Sequence, residues 1–304
     1  AMTLQQLHYV VTVADCASMN RAAQSLFIAQ SSLSAGISNL ENELGFPLFR
    51  RTNRGVTVTP EGEEFLAYAR QLVDQYRLTE EKFIYHRESK KSFSVSAQHY
   101  TFAVKAFIEM AKRCSPDQYA FGIYECKTSE IIENVRGYKS ELGVLYIDDF
   151  NGEIISKLLS DNSLEFVELF ECNTYVFLAS DHPLAKLERL TLEELSAYPC
   201  CSFDQGNNQS FYLAEEVYST YHYRQIIKAS DRATLLNLMI GLNAYTLCSG
   251  ILCEELNGTN YTVVPLDSNK TMHIGYIKRQ GSAVSRLGEI YIEELEKCNV
   301  NVLH

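Results

Sequence analysis

The side chains best placed for recognition chemistry lie between residues 30 and 39. Gln30, Ser31, Ser32, Ser34, Ser38 and Asn39 put amides and hydroxyls close together, with no lysine or glutamate among them. Short uncharged donors and acceptors on one face can approach a polar surface closely. In the DNA major groove, Asn and Gln suit adenine, Ser suits several base edges, and hydroxyls and backbone amides grip phosphate. Leu33, Ile37, Leu40 and Leu44 recur at the opposite phase, which predicts an amphipathic helix whose apolar side is buried. An ordinary solvated helix face would carry charges instead.

A second short helical pattern precedes this one, with Ala22, Ala23 and Leu26 facing inward. Two small alanines allow a close helix crossing, as a helix-turn-helix needs. After Leu44, Gly45 suits a helix end, and Leu48-Phe49 and Val56-Thr57-Val58 read as strands around an Asn53-Arg54-Gly55 turn. This hairpin is a wing. Arg50, Arg51 and Arg54, with Asn53, put cations on it and no acid lies between residues 46 and 60, which suits phosphates or a minor groove.

Composition first argues against nucleic acid and then accommodates it. The chain of 304 residues carries a net charge of −11. Residues 1–60 nevertheless hold four arginines (21, 50, 51, 54) against three acids (Asp15, Glu41, Glu43). The acid excess lies further on, where screening over about 8–10 Å limits its reach. No apolar run approaches a membrane span and no signal-peptide pattern opens the sequence, so the expectation is a cytoplasmic protein. The nine cysteines show no Cys-x-x-Cys spacing. They read as reduced core thiols, with no metal and no cofactor expected.

Thr3 with Gln6 forms a capping box before Leu7, Val10, Val11 and Ala14. Thr59-Pro60 opens a long helix to about residue 86. Its stripe of Phe65, Ala69, Leu72, Tyr76 and Phe83 has coiled-coil spacing, and a second copy of the same helix is the expected partner. Residues 87–92 are a polar hinge. Beyond them strands and helices alternate as in parallel α/β folds, with strands near 93–96, 119–124, 142–147, 166–170, 175–179, 200–203, 225–229, 245–248, 261–265 and 273–277. Helices are expected at 101–112, 129–138, 192–195, 210–221, 233–242 and 284–298.

Ala22-Ala23, Leu26, Gln30, Ser34, Ile37, Leu40-Glu41, Leu44-Gly45, Leu48-Phe49-Arg50 and Thr59-Pro60-Glu61-Gly62 resemble the amino-terminal pattern of LysR-type transcriptional regulators. Three positions depart from it: Ser31 replaces a frequent proline, and Ala35-Gly36 replaces a basic residue followed by Gln. More recognition therefore falls on Gln30, Ser32, Ser34 and the wing. The Asp181-His182-Pro183-Leu184 turn, the Leu-rich helix after Ser230 and Pro265 before the last strand are also similar to that family.

The resemblance implies α/β architecture plus an all-α head. The parts are a winged helix-turn-helix domain (1–59), a linker and dimerisation helix (60–88), and a two-lobe effector domain like a periplasmic binding protein (92–304). Lobe I would comprise about 92–163 and 268–304, and lobe II about 164–267. The expected partners are double-stranded DNA at a near-palindromic operator, a small-molecule effector, and further copies of the chain as dimer or tetramer, with no membrane.

Ligands of open α/β sheets lie beyond the carboxyl ends of the strands, near helix N-termini. That rule selects Ser96, Gln98, His99, Tyr100 and Thr101, then Thr128 and Ser129, and from the other lobe Phe203, Asp204, Gln205 and Asn207. Hydroxyls and amides there favour a small anion or polar molecule, while the lack of Lys or Arg in these loops disfavours a polyanion. His99 could titrate beside a carboxylate, Tyr100 and Phe203 offer an apolar wall, and Asp204 could meet an amine. An enzyme would need a nucleophile elbow, metal triad or phosphate loop, and none is present. The alternative regulator is a redox sensor using Cys200/Cys201 or Cys248/Cys253, as in peroxide-responsive relatives. The neighbours of Cys200-Cys201 supply no base to activate a thiol.

Overall fold

The structure, a computed structural model, describes residues 1–52, 55–84, 91–114, 118–206 and 211–298, with the side chains at 51, 81 and 82 set apart. Asn53, Arg54, the Arg51 side chain, Asn207 and most of the 87–92 hinge therefore lie outside the described residues. Two compact units divide at Lys90/Lys91.

The first unit opens with α1 (Leu4–Cys16), capped by the expected Thr3/Gln6 box. Helix α2 (Met19–Ser25) begins on the Ser18 side chain, and α3 spans Gln30–Leu44. The turn between them is tight enough to force Phe27 into a left-handed φ of 54°. Ala22, Leu33 and Leu40 are fully buried, together with Val10 and Val13 of α1. Gly36 is explained by that packing. Its carbonyl accepts from the Gln6 side chain, and a Cβ there would meet the Tyr9 ring at 3.0 Å.

Strands β1 (Phe49–Thr52) and β2 (Gly55–Val58) pair antiparallel, Phe49 opposite Val58. Helix α4 (Pro60–Phe83) starts on Thr59, with Pro60 at its first position. Its first half is not an open seam. Leu66 and Ala69 are buried and Phe65 packs against the core of this unit. The expected stripe is thus corrected. Phe65 and Ala69 serve the head, and Leu72, Tyr76 and Phe83 remain exposed at 49%, 47% and 66%.

The second unit holds two five-stranded sheets. The first comprises β3 (Lys91–Ala97), β4 (Tyr119–Glu125), β5 (Leu142–Ile147), β6 (Leu164–Asn173) and β12 (Thr271–Arg279), in the order β4-β3-β5-β12-β6. The second comprises β7 (Tyr175–Ala179), β8 (Cys200–Phe203), β9 (Ile226–Ala229), β10 (Tyr245–Cys248) and β11 (Tyr261–Pro265), in the order β11-β7-β10-β8-β9. Helices α5 (Thr101–Cys114), α6 (Thr128–Arg136), α7 (Gly152–Asp161) and α11 (Arg286–Lys297) accompany the first sheet, and α8 (Leu192–Leu195), α9 (Arg232–Leu242) and α10 (Glu254–Asn257) the second.

Both sheets are mixed rather than purely parallel, because β12 runs antiparallel to β5 and β6, and β7 antiparallel to β10 and β11. Since β6 pairs along its length with β12, residues 164–173 belong to the first lobe, not to the second as expected. The chain crosses between sheets at Thr174 and again between Pro265 and Thr271, where Leu266 N donates to Thr174 O.

One helix expectation fails, and two helices, α7 and α10, go unforeseen. Residues 211–221 contain only a 3-10 turn at Phe211–Leu213, because Tyr218 takes a φ of 60° and the Glu215 and Glu216 side chains turn inward. Helix α7 was not anticipated, although Ile155 and Leu159 fall four apart and are buried. At the Asp181-His182-Pro183-Leu184 turn, Leu184 N donates to His182 Nδ1, leaving Nε2–H to donate to Asn243 O at 3.0 Å. Burial lowers the imidazole pKa there.

Candidate functional site

In the first unit, α3 turns Leu33, Ile37 and Leu40 inward, at most 2% exposed, and leaves Gln30, Ser31, Ser32, Ser38 and Asn39 exposed. Gln30 Nε2 donates to Ser34 Oγ at 3.2 Å, so the two are pre-ordered side by side. Glu41, from the last turns of α3, accepts the amides of Leu48 and Phe49 and ties the wing to the helix. Arg50 on β1 is exposed. Phe27, which the sequence reading did not mark, is 94% exposed in the turn that feeds α3.

In the second unit, a cavity of about 720 Å³, open mouth included, lies where the two sheets present their strand ends. Its centre is His99, from the β3–α5 connection of the first lobe. The ring stacks on Phe203 of the second lobe, centroids 3.8 Å apart and planes 6° apart. His99 N and Nδ1 both lie 2.9 Å from Glu215 Oε2, and Gln205 Nε2 donates to Glu215 Oε1. Glu216 accepts the Phe203 amide. Burial first, and Glu215 second, push its carboxyl up to about 8.

Of the anticipated ligand residues, His99, Tyr100, Thr101 and Phe203 line this cavity. Others are held elsewhere. Ser96 is fully buried against Ser140 and Asn134. Gln98 is fully buried, donating to Thr128 and accepting from Tyr100 and the Tyr146 amide. These are corrections: the strand-end rule found the loops, but Ser96, Gln98 and Thr128 brace them. Ser129 is exposed and stands outside the cavity lining.

Gln205 links the lobes through Thr128 N and Glu215. Asp204 already faces Lys127 at 3.5 Å, and a Gly206 amide together with that lysine holds its carboxyl below the usual range. The loops therefore do contain cations, Lys127 and Arg232. Arg232 pairs with Glu125 and Thr101 across the cleft.

The sequence reading missed Glu215, Glu216, Arg232, Thr246 and Ser249. The first two were assigned to a helix, and Arg232 begins one whose start was placed a residue too late.

Burial disfavours the thiolate at each of Cys200, Cys201, Cys248 and Cys253. Burial pushes Cys201 up to about 11, Cys248 up to about 12, and Cys200 higher still. Among the described residues, the one His/acid grouping of metal-binding spacing is Glu168, Glu171 and His273. Its two glutamates are exposed, and His273 Nδ1 lies 3.3 and 3.6 Å from their carboxylate oxygens.

Comparison with known families decides what this pairing of parts is. The bacterial regulatory helix-turn-helix family of lysR type matches residues 4–63, and the LysR substrate binding domain matches residues 121–297. The chain belongs to the LysR family. It is a DNA-binding transcriptional regulator with an effector-binding domain, from a family of regulators and not of enzymes.

Among curated relatives, the transcriptional regulator YnfL of Escherichia coli K12 is 31% identical over 84% of both chains. HcaR of the same organism is 30% identical over 67% of this chain and 66% of its own length. Among solved structures, full-length OxyR from Pseudomonas aeruginosa, a Cys-to-Asp variant, superposes with a TM-score of 0.66 at 20% identity, covering 99% of this chain and 97% of that one. That likeness concerns the fold, and nothing in it favours the redox alternative over the cavity. No described helix is long and apolar enough to cross a membrane.

Proposed function

We propose that this LysR-type regulator reads operator DNA with the exposed face of α3, and that a small effector in the inter-lobe cavity changes that grip. Gln30, Ser31, Ser32, Ser34 and Ser38 would meet base edges and phosphates, while Arg50, with Arg51, Asn53 and Arg54 on the wing, would hold the flanking backbone. The observation that carries the reading is the sharp division of α3, at most 2% exposure at Leu33, Ile37 and Leu40 against Gln30, Ser31, Ser34, Ser38 and Asn39, with no charged side chain between residues 30 and 40. The relative HcaR is the Hca operon transcriptional activator, which supports a role in controlling transcription.

Leu72, Tyr76 and Phe83 leave an apolar stripe on α4. A second copy would cover it and set two heads against the half-sites of a near-palindromic operator. Such a protein works in the cytoplasm, where the DNA is. His99, Tyr100, Thr101, Phe203 and Gln205 would surround the effector or hold its lobes together. Binding would shift lobe closure, and thereby operator affinity.

The test is a mobility-shift titration with the DNA flanking the chain's own gene at low salt. Gln30→Ala and Ser38→Glu should each weaken binding by about tenfold without changing the unfolding midpoint. Unaltered binding by both variants, or no binding by the parent, refutes the reading.

A further inference from the structure

The cavity wall carries an imbalance of charge that the strand-end rule does not foresee. Glu215 and Glu216 bring two carboxylates to it, 5% and 8% exposed. The one arginine in the lining, Arg232, is already paired with Glu125. Glu215 is met by the His99 and Gln205 side chains, whereas Glu216 is met by backbone amides, that of Phe203 at 2.9 Å and its own. Thr246 lines the same cavity at 5% exposure, and its hydroxyl has no hydrogen-bond partner. A buried polar group left in that state costs about 1–3 kcal/mol, so it marks a position that awaits an occupant. Leu235, Leu247 and Val263 give the wall an apolar side, and Thr101, Ser249 and Asn257 add uncharged polar groups.

We propose that the effector is a small organic ammonium ion, its charged head held by Glu216 and Glu215 with Thr246 as a further acceptor, and its hydrocarbon or aromatic body against Phe203 and the leucines. This deepens, and rests on, the reading of the cavity as the effector site. An anionic effector would sit beside the Glu215 carboxylate and could be tolerated only while Glu216 keeps its proton, in a desolvated space where like charges repel most strongly. An ammonium ion supplies the missing counter-charge and the donors that Glu216 and Thr246 lack. The sequence pointed toward a small anion or polar molecule because of the helix N-termini, and placed a possible amine at Asp204, since nothing in it showed Glu215 and Glu216 turned inward.

The experiment measures thermal unfolding of the full-length protein with matched probes at equal millimolar concentration: hexylamine, hexanoate and hexanol, and phenylethylamine, phenylacetate and phenylethanol. The two amines should raise the midpoint and the four others should not. Glu216→Gln should weaken the amines about tenfold, and Thr246→Val should weaken them too while stabilising the free protein. Stabilisation by the carboxylates or alcohols in place of the amines overturns the cation and keeps the cavity as effector site. Stabilisation by none of the six also overturns the cation. If, in addition, filling the cavity with Ile251→Trp leaves operator binding unchanged, the effector-site reading falls with it.

Discussion

Glu41 Oε1 accepts the amide of Leu48 at 2.7 Å and that of Phe49 at 3.2 Å. One carboxylate thus fixes the entry of the wing to the end of the recognition helix. Glu41→Ala would leave both amides without this acceptor, and charge-assisted bonds of this kind contribute about 1.5–3 kcal/mol. The expected outcome is a lower unfolding midpoint for the head and weaker operator binding, with Glu41→Gln intermediate. Urea denaturation and mobility shift together check this, and a Glu41→Ala protein with both unchanged rules out the anchoring role.

Gly62 shows why the turn into α4 needs a glycine. A Cβ there would lie 2.4 Å from Leu48 O and 2.9 Å from both Thr59 Oγ1 and Val58 Cγ1. Two of those neighbours are in the wing or its approach, so Gly62→Ala must push wing and helix apart, at a cost of about 1–3 kcal/mol. Gly241, near the end of α9, meets nothing within 4 Å. Gly241→Ala should instead stabilise by about 0.4–1 kcal/mol. Opposite signs in the same denaturation assay are the expected result.

The proposed pairing of two copies rests on the exposed half of α4. Leu72→Glu with Tyr76→Glu places charge on the stripe while leaving buried Leu66 and Ala69 in the head. Analytical ultracentrifugation should show a shift toward monomer, and operator affinity should fall because paired half-sites lose their coupling. The head's own unfolding should be unchanged.

Glu216 gives stability a pH slope with a definite sign. Its carboxyl rises from 4.5 to about 8 on folding, first through burial and then through Glu215, against the Phe203 amide and Lys228. The folded chain therefore holds an extra proton between those values. Stability falls as pH climbs through that window, and the loss is complete above about 8. Glu216→Gln keeps an acceptor for Phe203 N but cannot ionise. Its advantage over the parent should be absent near pH 4 and largest near pH 9. Equal slopes for the two proteins would show that Glu216 ionises freely.

The same proton links to the proposed occupant. An ammonium ion binds the ionised glutamate, so its apparent affinity should rise between pH 6 and about 8 and then level off. Glu215, His99, Arg232 and Lys228 face or lie near this carboxyl. Isothermal titration of phenylethylamine in buffers of different ionisation enthalpy should detect release of close to one proton at pH 7.

Local patterns carried much of the fold into the sequence. The Thr3/Gln6 box, the Leu33/Ile37/Leu40 phase and Thr59-Pro60 each act within one turn of helix, so nearby residues suffice to place them. The helix expected at 210–221 failed because Glu215 found a partner across the cleft in His99 and Glu216 one within its own lobe in the Phe203 amide, and tertiary contacts outweigh propensity. Ser96 and Gln98 were misjudged for a related reason. Chain position shows that a residue sits at a strand end, but not whether its side chain is already engaged with Ser140 or Thr128. The coiled-coil spacing of α4 was likewise legible, while the division between Ala69, covered by its own head, and Leu72, left open, depends on where α1 stops.

The parallel stack of His99 on Phe203 joins two lobes that have no covalent link at that point. A proton on an imidazole carbon held over a benzene face feels its ring current. The resonance of His99 should therefore sit upfield while the cleft is shut and move toward its solution value as the lobes part, giving a native magnetic gauge of aperture that needs no added label.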